Sequence, residues 1–157
     1  DDPQRLAIYG SSYGGYAALC GAAFTPRLFR CAVAVVGPSN LSTLVRSIPP
    51  YWEPLRRIFD LRVGNVDTEP EFLKARSPLF AADKIEIPLL IAQGANDPRV
   101  KQAESEQIVD VLKAKGKAVE YMLFPDEGHG FARPENRLKF YAAAEAFLAR
   151  HLSGPRG

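Results

Sequence analysis

Four short, largely apolar runs, each cut off at a glycine or a proline, limit what this chain can build. They are LAIY (6–9) before Gly10, CAVAVV (31–36) before Gly37 and Pro38, PLLIAQ (88–93) before Gly94, and VEYMLF (119–124) before Pro125. The first reads as a short strand ending at its glycine, and the other three read as strands buried on both faces. Helical patterns lie between the runs. Ser12 to Phe24 is rich in Ala, Leu and Tyr, and residues 100–115 carry Val100, Ile108, Val109 and Leu112 before stopping at Gly116, a usual C-terminal cap. A last helix is expected from Pro134, with Tyr141, Ala144, Leu148 and Leu152 on its inner side. Strands alternating with helices predict an α/β fold of about four parallel strands with flanking helices.

Residues 39–83 break that rhythm. They hold IPPYWEP, an amphipathic piece around Leu55 to Leu61, and TEPEFLKARSP, with no convincing strand. Such an insertion at the top of a sheet is expected to shape a substrate pocket.

Composition narrows the function classes. The 157 residues are 46% hydrophobic, enough for one globular domain or part of one. Twenty Lys and Arg face eighteen Asp and Glu, and they are scattered, which argues against nucleic acid as a partner. Arg56, Arg57 and Arg62 read as a solvated helix face. No run approaches the roughly 18 residues of a membrane span, so no membrane partner is expected, and the opening DDPQR is unlike a signal peptide. Localisation is not readable from an N-terminus that looks incomplete, and a soluble cytoplasmic protein is the expectation. Cys20 and Cys31 lie in apolar surroundings with no second pair, so they read as buried thiols rather than a zinc site. No metal or other cofactor is expected.

The stretch YGSSYGGY (9–16) follows the first run, and Gly10-Ser11-Ser12-Tyr13-Gly14 places Ser12 at the centre of G-x-S-x-G. A serine hydroxyl needs a base to take its proton and a third group to orient that base. His151 sits in the closing turn of the last helix, where the helix dipole explains it. His129, in PDEGHGF, follows the fourth run and lies at the carboxyl edge of the sheet. Asp97, in GANDPRV, follows the third run; Asp126 is its rival, three residues before His129. The chain order serine, acid, histidine, each after a different strand, is the α/β-hydrolase order, and it favours Asp97. Gly10, Gly14 and Gly15 are expected to relieve collisions at a sharp strand-to-helix turn, with Ser11 as a small spacer and the Tyr13 amide as an oxyanion donor.

GSSYGGY, GANDPRV and DEGHGF together resemble the catalytic segments of the prolyl oligopeptidase family of serine peptidases, especially its acylaminoacyl-peptidase and dipeptidyl-peptidase branches. The likeness extends through VVGPSNL and IPPYWEP. It implies Ser12 as nucleophile, Asp97 as orienting acid and His129 as general base and acid. It also implies a peptide substrate, whose backbone carbonyl Arg99 would bind and whose side chain Val100, Tyr51 and Trp52 would flank. The four strands then correspond to the C-terminal half of an α/β-hydrolase fold. The upstream half, any β-propeller and the second oxyanion donor are expected outside this chain, and the exposed sheet edge is expected to favour self-association. Two alternatives stay open: a carboxylesterase or other acyl hydrolase, since the same three residues serve many substrates on this fold, and a catalytically inert fragment or binding module.

Overall fold

The structure is a computed structural model, and it describes residues 6–153 apart from residues 26 and 49. The opening DDPQR and the side chains of Leu55 and Arg56 therefore lie outside the described residues. The elements run β1 (Ala7–Ser11), α1 (Tyr13–Phe24), β2 (Cys31–Val35), α2 (Leu41–Arg46), α3 (Glu53–Arg62), α4 (Pro70–Ala75), β3 (Leu89–Gly94), α5 (Gln102–Ala114), β4 (Val119–Phe124) and α6 (Pro134–Leu152). A 3₁₀ turn at Pro50–Trp52 and a kinked 3₁₀ stretch at Pro78–Lys84, broken at Ala81, punctuate the segment between β2 and β3. As expected, residues 39–83 hold no strand among the described residues.

The four strands form one parallel sheet in the order β1-β2-β3-β4. Residues alternate between its faces, which is why the two inner strands need apolar side chains throughout. Ala32, Ala34, Leu89 and Ile91 face α1 and α5, packing against Leu19, Ala22, Ile108 and Leu112. Cys31, Val33, Val35, Leu90 and Ala92 face α6. Each Val, Leu or Ile so buried contributes roughly 1.5 to 3 kcal/mol.

Local chemistry sets the boundaries. Lys115 caps α5, and Gly116 at φ +68° lets the Gly116 amide bond the Lys113 carbonyl and the Lys117 amide bond the Leu112 carbonyl. That is the Schellman pattern, which satisfies carbonyls a helix end leaves free. β2 stops one residue earlier than its apolar run. Val36 turns out of the strand at φ +46°, an unfavourable conformation for a β-branched residue, held by its amide's 2.8 Å bond to the Ala92 carbonyl.

The inward face of α6 differs from the sequence expectation. Phe140, Ala144 and Phe147 are buried, whereas Tyr141 is 59% exposed. Leu148 and Leu152 pack against the same cluster as expected, Phe140 and Phe147 take the place expected for Tyr141, and Phe131 and Phe124 extend the aromatic stack. Truncating Phe147 to Ala is expected to cost about 3 to 5 kcal/mol in chemical denaturation, while Tyr141→Ala stays within about 0.5 kcal/mol. Equal losses would place the buried stripe where the sequence had put it.

Candidate active site

Ser12 is the single residue between the end of β1 and the first turn of α1, and it stands at φ +58°, ψ −117°. A serine pays strain in that region, of order 1 to 3 kcal/mol, so its neighbours must hold it. Its amide donates to the Val35 carbonyl at 2.8 Å, and its carbonyl accepts from the Tyr16 amide at 3.1 Å. Close backbone approach explains two of the three glycines named from the sequence. A Cβ on Gly10 would lie 1.9 Å from the Gly14 carbonyl oxygen, and one on Gly15 would lie 2.7 Å from the Val35 carbonyl oxygen. Gly14 differs, since a Cβ there would meet nothing within 4 Å. The missing partner is Gly37, whose Cβ would lie 2.6 Å from the Gly15 carbonyl carbon.

The loops after β3 and β4 meet beside this turn. A Cβ on Gly94 would lie 2.1 Å from the Gly128 carbonyl oxygen, so only glycine lets the loops touch. The Ala95 amide bonds the Phe124 carbonyl at 3.0 Å, and the Asn96 amide bonds the Glu127 carbonyl at 2.9 Å. Gly130 turns the chain back at φ +122°. The result brings Ser12 Oγ to 2.8 Å from His129 Nε2, and His129 Nδ1 to 2.6 Å from Asp97 Oδ2. Asp97 is buried, and its other oxygen accepts the amides of Arg99 at 2.8 Å and Val100 at 2.9 Å. The rival carboxylate, Asp126, pairs instead with Arg133 at 3.2 Å and Asn136 at 3.0 Å. His151 packs its ring on Phe147, where burial, more than neighbouring Arg150, lowers its pKa.

Ser12 and His129 open onto a cavity of about 580 Å³, lined also by Tyr13, Pro38, Leu44, Ser47, Ile48, Trp52, Pro98, Arg99 and Val100. Trp52, Arg99 and Val100, which the resemblance implied as substrate contacts, lie on this wall. Tyr51 does not: it is 78% exposed and meets Trp52 edge-on, with ring centres 6.0 Å apart. Among the described residues, Arg99 has no carboxylate in ion-pair range. Leu44, Ser47 and Ile48 were not singled out from the sequence, where nothing but their place in the insertion marks them.

A second polar cluster lies behind that wall. Glu104 is 3% exposed, and burial pushes its carboxyl above the usual range, against the opposing pull of hydrogen bonds from Thr43, Asn40 and Ser39. Gln93, also buried, donates to the Val100 carbonyl at 2.7 Å and accepts from the Ser105 hydroxyl at 2.8 Å. Cys31 is a buried free thiol pushed up to about 11 by desolvation, and Cys20 is half-buried and raised by the same cause. Among the described residues no group of three His, Cys, Asp or Glu is disposed to hold a metal, and no helix is long and apolar enough to cross a membrane.

A strand, a strained serine and a helix, with an acid and a histidine delivered by the loops of two further parallel strands, define an α/β-hydrolase fold. The chain belongs to the prolyl oligopeptidase family, which it matches over residues 1–155. It is 57% identical over 153 residues to dipeptidyl aminopeptidase BIII of Pseudoxanthomonas mexicana, covering 96% of this chain and 22% of that protein. It is 49% identical over 154 residues to dipeptidyl peptidase family member 6 of Caenorhabditis elegans, covering 96% of this chain and 21% of that protein. Among solved structures, a puromycin-hydrolysing peptidase of Mycobacterium tuberculosis superposes with a TM-score of 0.89 at 32% identity, over 99% of this chain and 23% of that one. An acylaminoacyl peptidase in complex with Z-Gly-Gly-Phe-chloromethyl ketone superposes with a TM-score of 0.86 at 29% identity, over 99% of this chain and 25% of that one. The chain therefore spans about a fifth of the length of the curated relatives it matches.

The contrast between two adjacent glycines is directly measurable. Gly15→Ala is expected to lower stability by about 1 to 3 kcal/mol or more, because backbone rather than a side chain must move, whereas Gly14→Ala is neutral or slightly stabilising through helix propensity. Thermal unfolding of the two variants checks this, and a loss at Gly14 as large as at Gly15 would contradict the packing described.

Proposed function

We propose that this chain is the part of a serine peptidase that forms and breaks an acyl-enzyme, with Ser12 as nucleophile, His129 as general base and then acid, and Asp97 as the group that orients the imidazole. The observation that carries the reading is the unbroken chain Ser12 Oγ, His129 Nε2, His129 Nδ1, Asp97 Oδ2, with contacts of 2.8 and 2.6 Å, of which Ser12 and His129 line the cavity. A carboxylate only accepts hydrogen bonds, so Nδ1 carries the imidazole proton and Nε2 offers its lone pair to the Ser12 hydroxyl. Ser12 Oγ adds to the scissile carbonyl carbon as its proton passes to Nε2. The tetrahedral adduct collapses, the carbon–nitrogen bond breaks, and Nε2 gives the proton to the leaving amine. Water, deprotonated in turn by Nε2, then cleaves the acyl ester and restores Ser12. The Tyr13 amide, at the first position of α1, has no intrahelical acceptor and is free to bind the oxyanion.

Peptide is favoured over a simple ester by Arg99, a guanidinium on the cavity wall without a carboxylate partner among the described residues. Its donors suit a substrate carbonyl, while Trp52 and Val100 flank the acyl residue. The identity to a dipeptidyl aminopeptidase and the peptide-derived inhibitor on the similar acylaminoacyl peptidase support the same substrate class. In this reading, residues 1–157 are part of a catalytic domain whose segment 39–83 covers the site. The edge strand β1, paired only with β2 among the described residues, is the surface through which the chain by itself would associate.

In the intact protein, Ser12→Ala is expected to reduce peptide turnover more than about a thousandfold, while Ser11→Ala stays near wild type. Arg99→Ala is expected to lower peptide turnover about tenfold to a hundredfold, the worth of a charge-assisted hydrogen bond, with much less effect on a small ester. Parallel losses of Arg99→Ala on peptide and ester would assign Arg99 to support of the Asp97 loop and remove the argument for peptide.

A further inference from the structure

We propose that Glu104 is the positioning residue that sets the width of the acyl pocket, by holding α2 at a fixed distance from α5. The inference rests on the reading above, that the cavity beside Ser12 receives the acyl residue of the substrate.

The two walls of the cavity stand on different supports. Val100 and Arg99 precede α5, whereas Leu44 and Ile48 belong to α2 and the turn after it. α2 has only six residues, too few to hold a helix without tertiary support. Its contact with α5 is a polar seam. Glu104 Oε2 accepts the Ser39 amide at 3.3 Å and the Asn40 amide at 3.2 Å, and Oε1 accepts the Thr43 hydroxyl. The Glu104 carbonyl takes the Ser39 hydroxyl at 2.5 Å. Gln107, one turn further along α5, accepts from Asn40 Nδ2 and donates to Thr43 Oγ1, both at 3.3 Å.

An apolar contact between α2 and α5 would tolerate sliding. A buried carboxylate does not, because each donor it loses leaves charge uncompensated in a dry setting. Among the described residues, the three donors to the Glu104 carboxylate, two backbone amides and one hydroxyl, all come from residues 39–43, so a shift of α2 would forfeit them together. The α5 side of the seam is equally fixed. Gln93 ties Ser105 and the Val100 carbonyl to β3, and the amides of Arg99 and Val100 bind Asp97. Glu104 therefore refers the far wall of the pocket to the same frame that holds the acid of the hydrogen-bonded chain, without lining the cavity itself.

The test compares kcat/KM on two p-nitrophenyl esters, one with a bulky apolar acyl group and one with acetyl, in the intact protein. Wild type is expected to prefer the bulky acyl group. Glu104→Ala is expected to shrink that preference about tenfold, mostly through KM, since pocket contacts act alike on ground and transition states. Glu104→Gln keeps an oxygen for the two amides and an NH2 for Thr43, and is expected to retain the preference within about twofold of wild type. Should Glu104→Ala not fold, Thr43→Val removes one donor to the seam and is expected to shrink the same ratio severalfold. Equal loss on both esters, a Gln variant as flat as Ala, or a Thr43→Val ratio equal to wild type would each overturn the proposal. Labelling of wild type with a small fluorophosphonate separates the two readings: without labelling at Ser12 the acyl-enzyme reading fails, and with labelling but an unchanged ester ratio only the role of Glu104 fails.

Discussion

The backbone of β1 and the first turn of α1 pass so close that a Cβ on Gly10 would sit 1.9 Å from the Gly14 carbonyl oxygen. That approach forces the residue between strand and helix into a conformation a serine disfavours, and Ser12 at φ +58° accepts it. The strain is offset by the apolar underside of α1, where Ala18, Leu19, Ala22 and Ala23 are fully buried against the sheet. A second close approach, Gly15 against Gly37, ties the same turn to the chain leaving β2. Without these two contacts the hydroxyl of Ser12 would have no fixed direction.

Parallel strands then do the rest. Because every strand presents its carboxyl end to one side, the segments after β1, β3 and β4 share an edge, and the backbone bonds between residues 94–96 and 124–128 bring two of them into contact. Asp97 and His129 meet there at 2.6 Å through loop geometry alone. The insertion between β2 and β3 is free to vary the pocket, yet it is pinned at its start by the buried Glu104 seam and by the Leu41 amide's 2.9 Å bond to the Ser77 hydroxyl. Chemistry and pocket shape thus hang from different parts of one frame.

What could be read from the sequence follows from where information is local. Ser12, Asp97 and His129 each follow an apolar run directly, so their shared edge is implied by the parallel sheet. The inner strands β2 and β3 are legible because burial on both faces demands unbroken apolar runs; β4, whose run reads the same way, is an edge strand and only half-buried. Val36 was hidden, since a β-branched residue ending such a run predicts more strand, and only the crowding of Gly37 on Gly15 explains its turn. Gly14 and Gly37 were exchanged in role because a close approach between residues 15 and 37 leaves no trace in either segment. Tyr51 and Trp52 are neighbours of like chemistry, and only the path of the insertion decides that Trp52 lines the cavity. Glu104 lies in the first turn of a helix, where a glutamate ordinarily faces solvent and favours the dipole, so its burial could come only from tertiary packing.

The central claim is that this frame aims one serine, and the most direct measurement is peptide mapping by mass spectrometry after the intact protein reacts with a fluorophosphonate. A single phosphonyl adduct on Ser12 is expected, absent when His129 is replaced by Gln. An adduct on Ser11, or peptide turnover that survives with Ser12 unmodified, would contradict it.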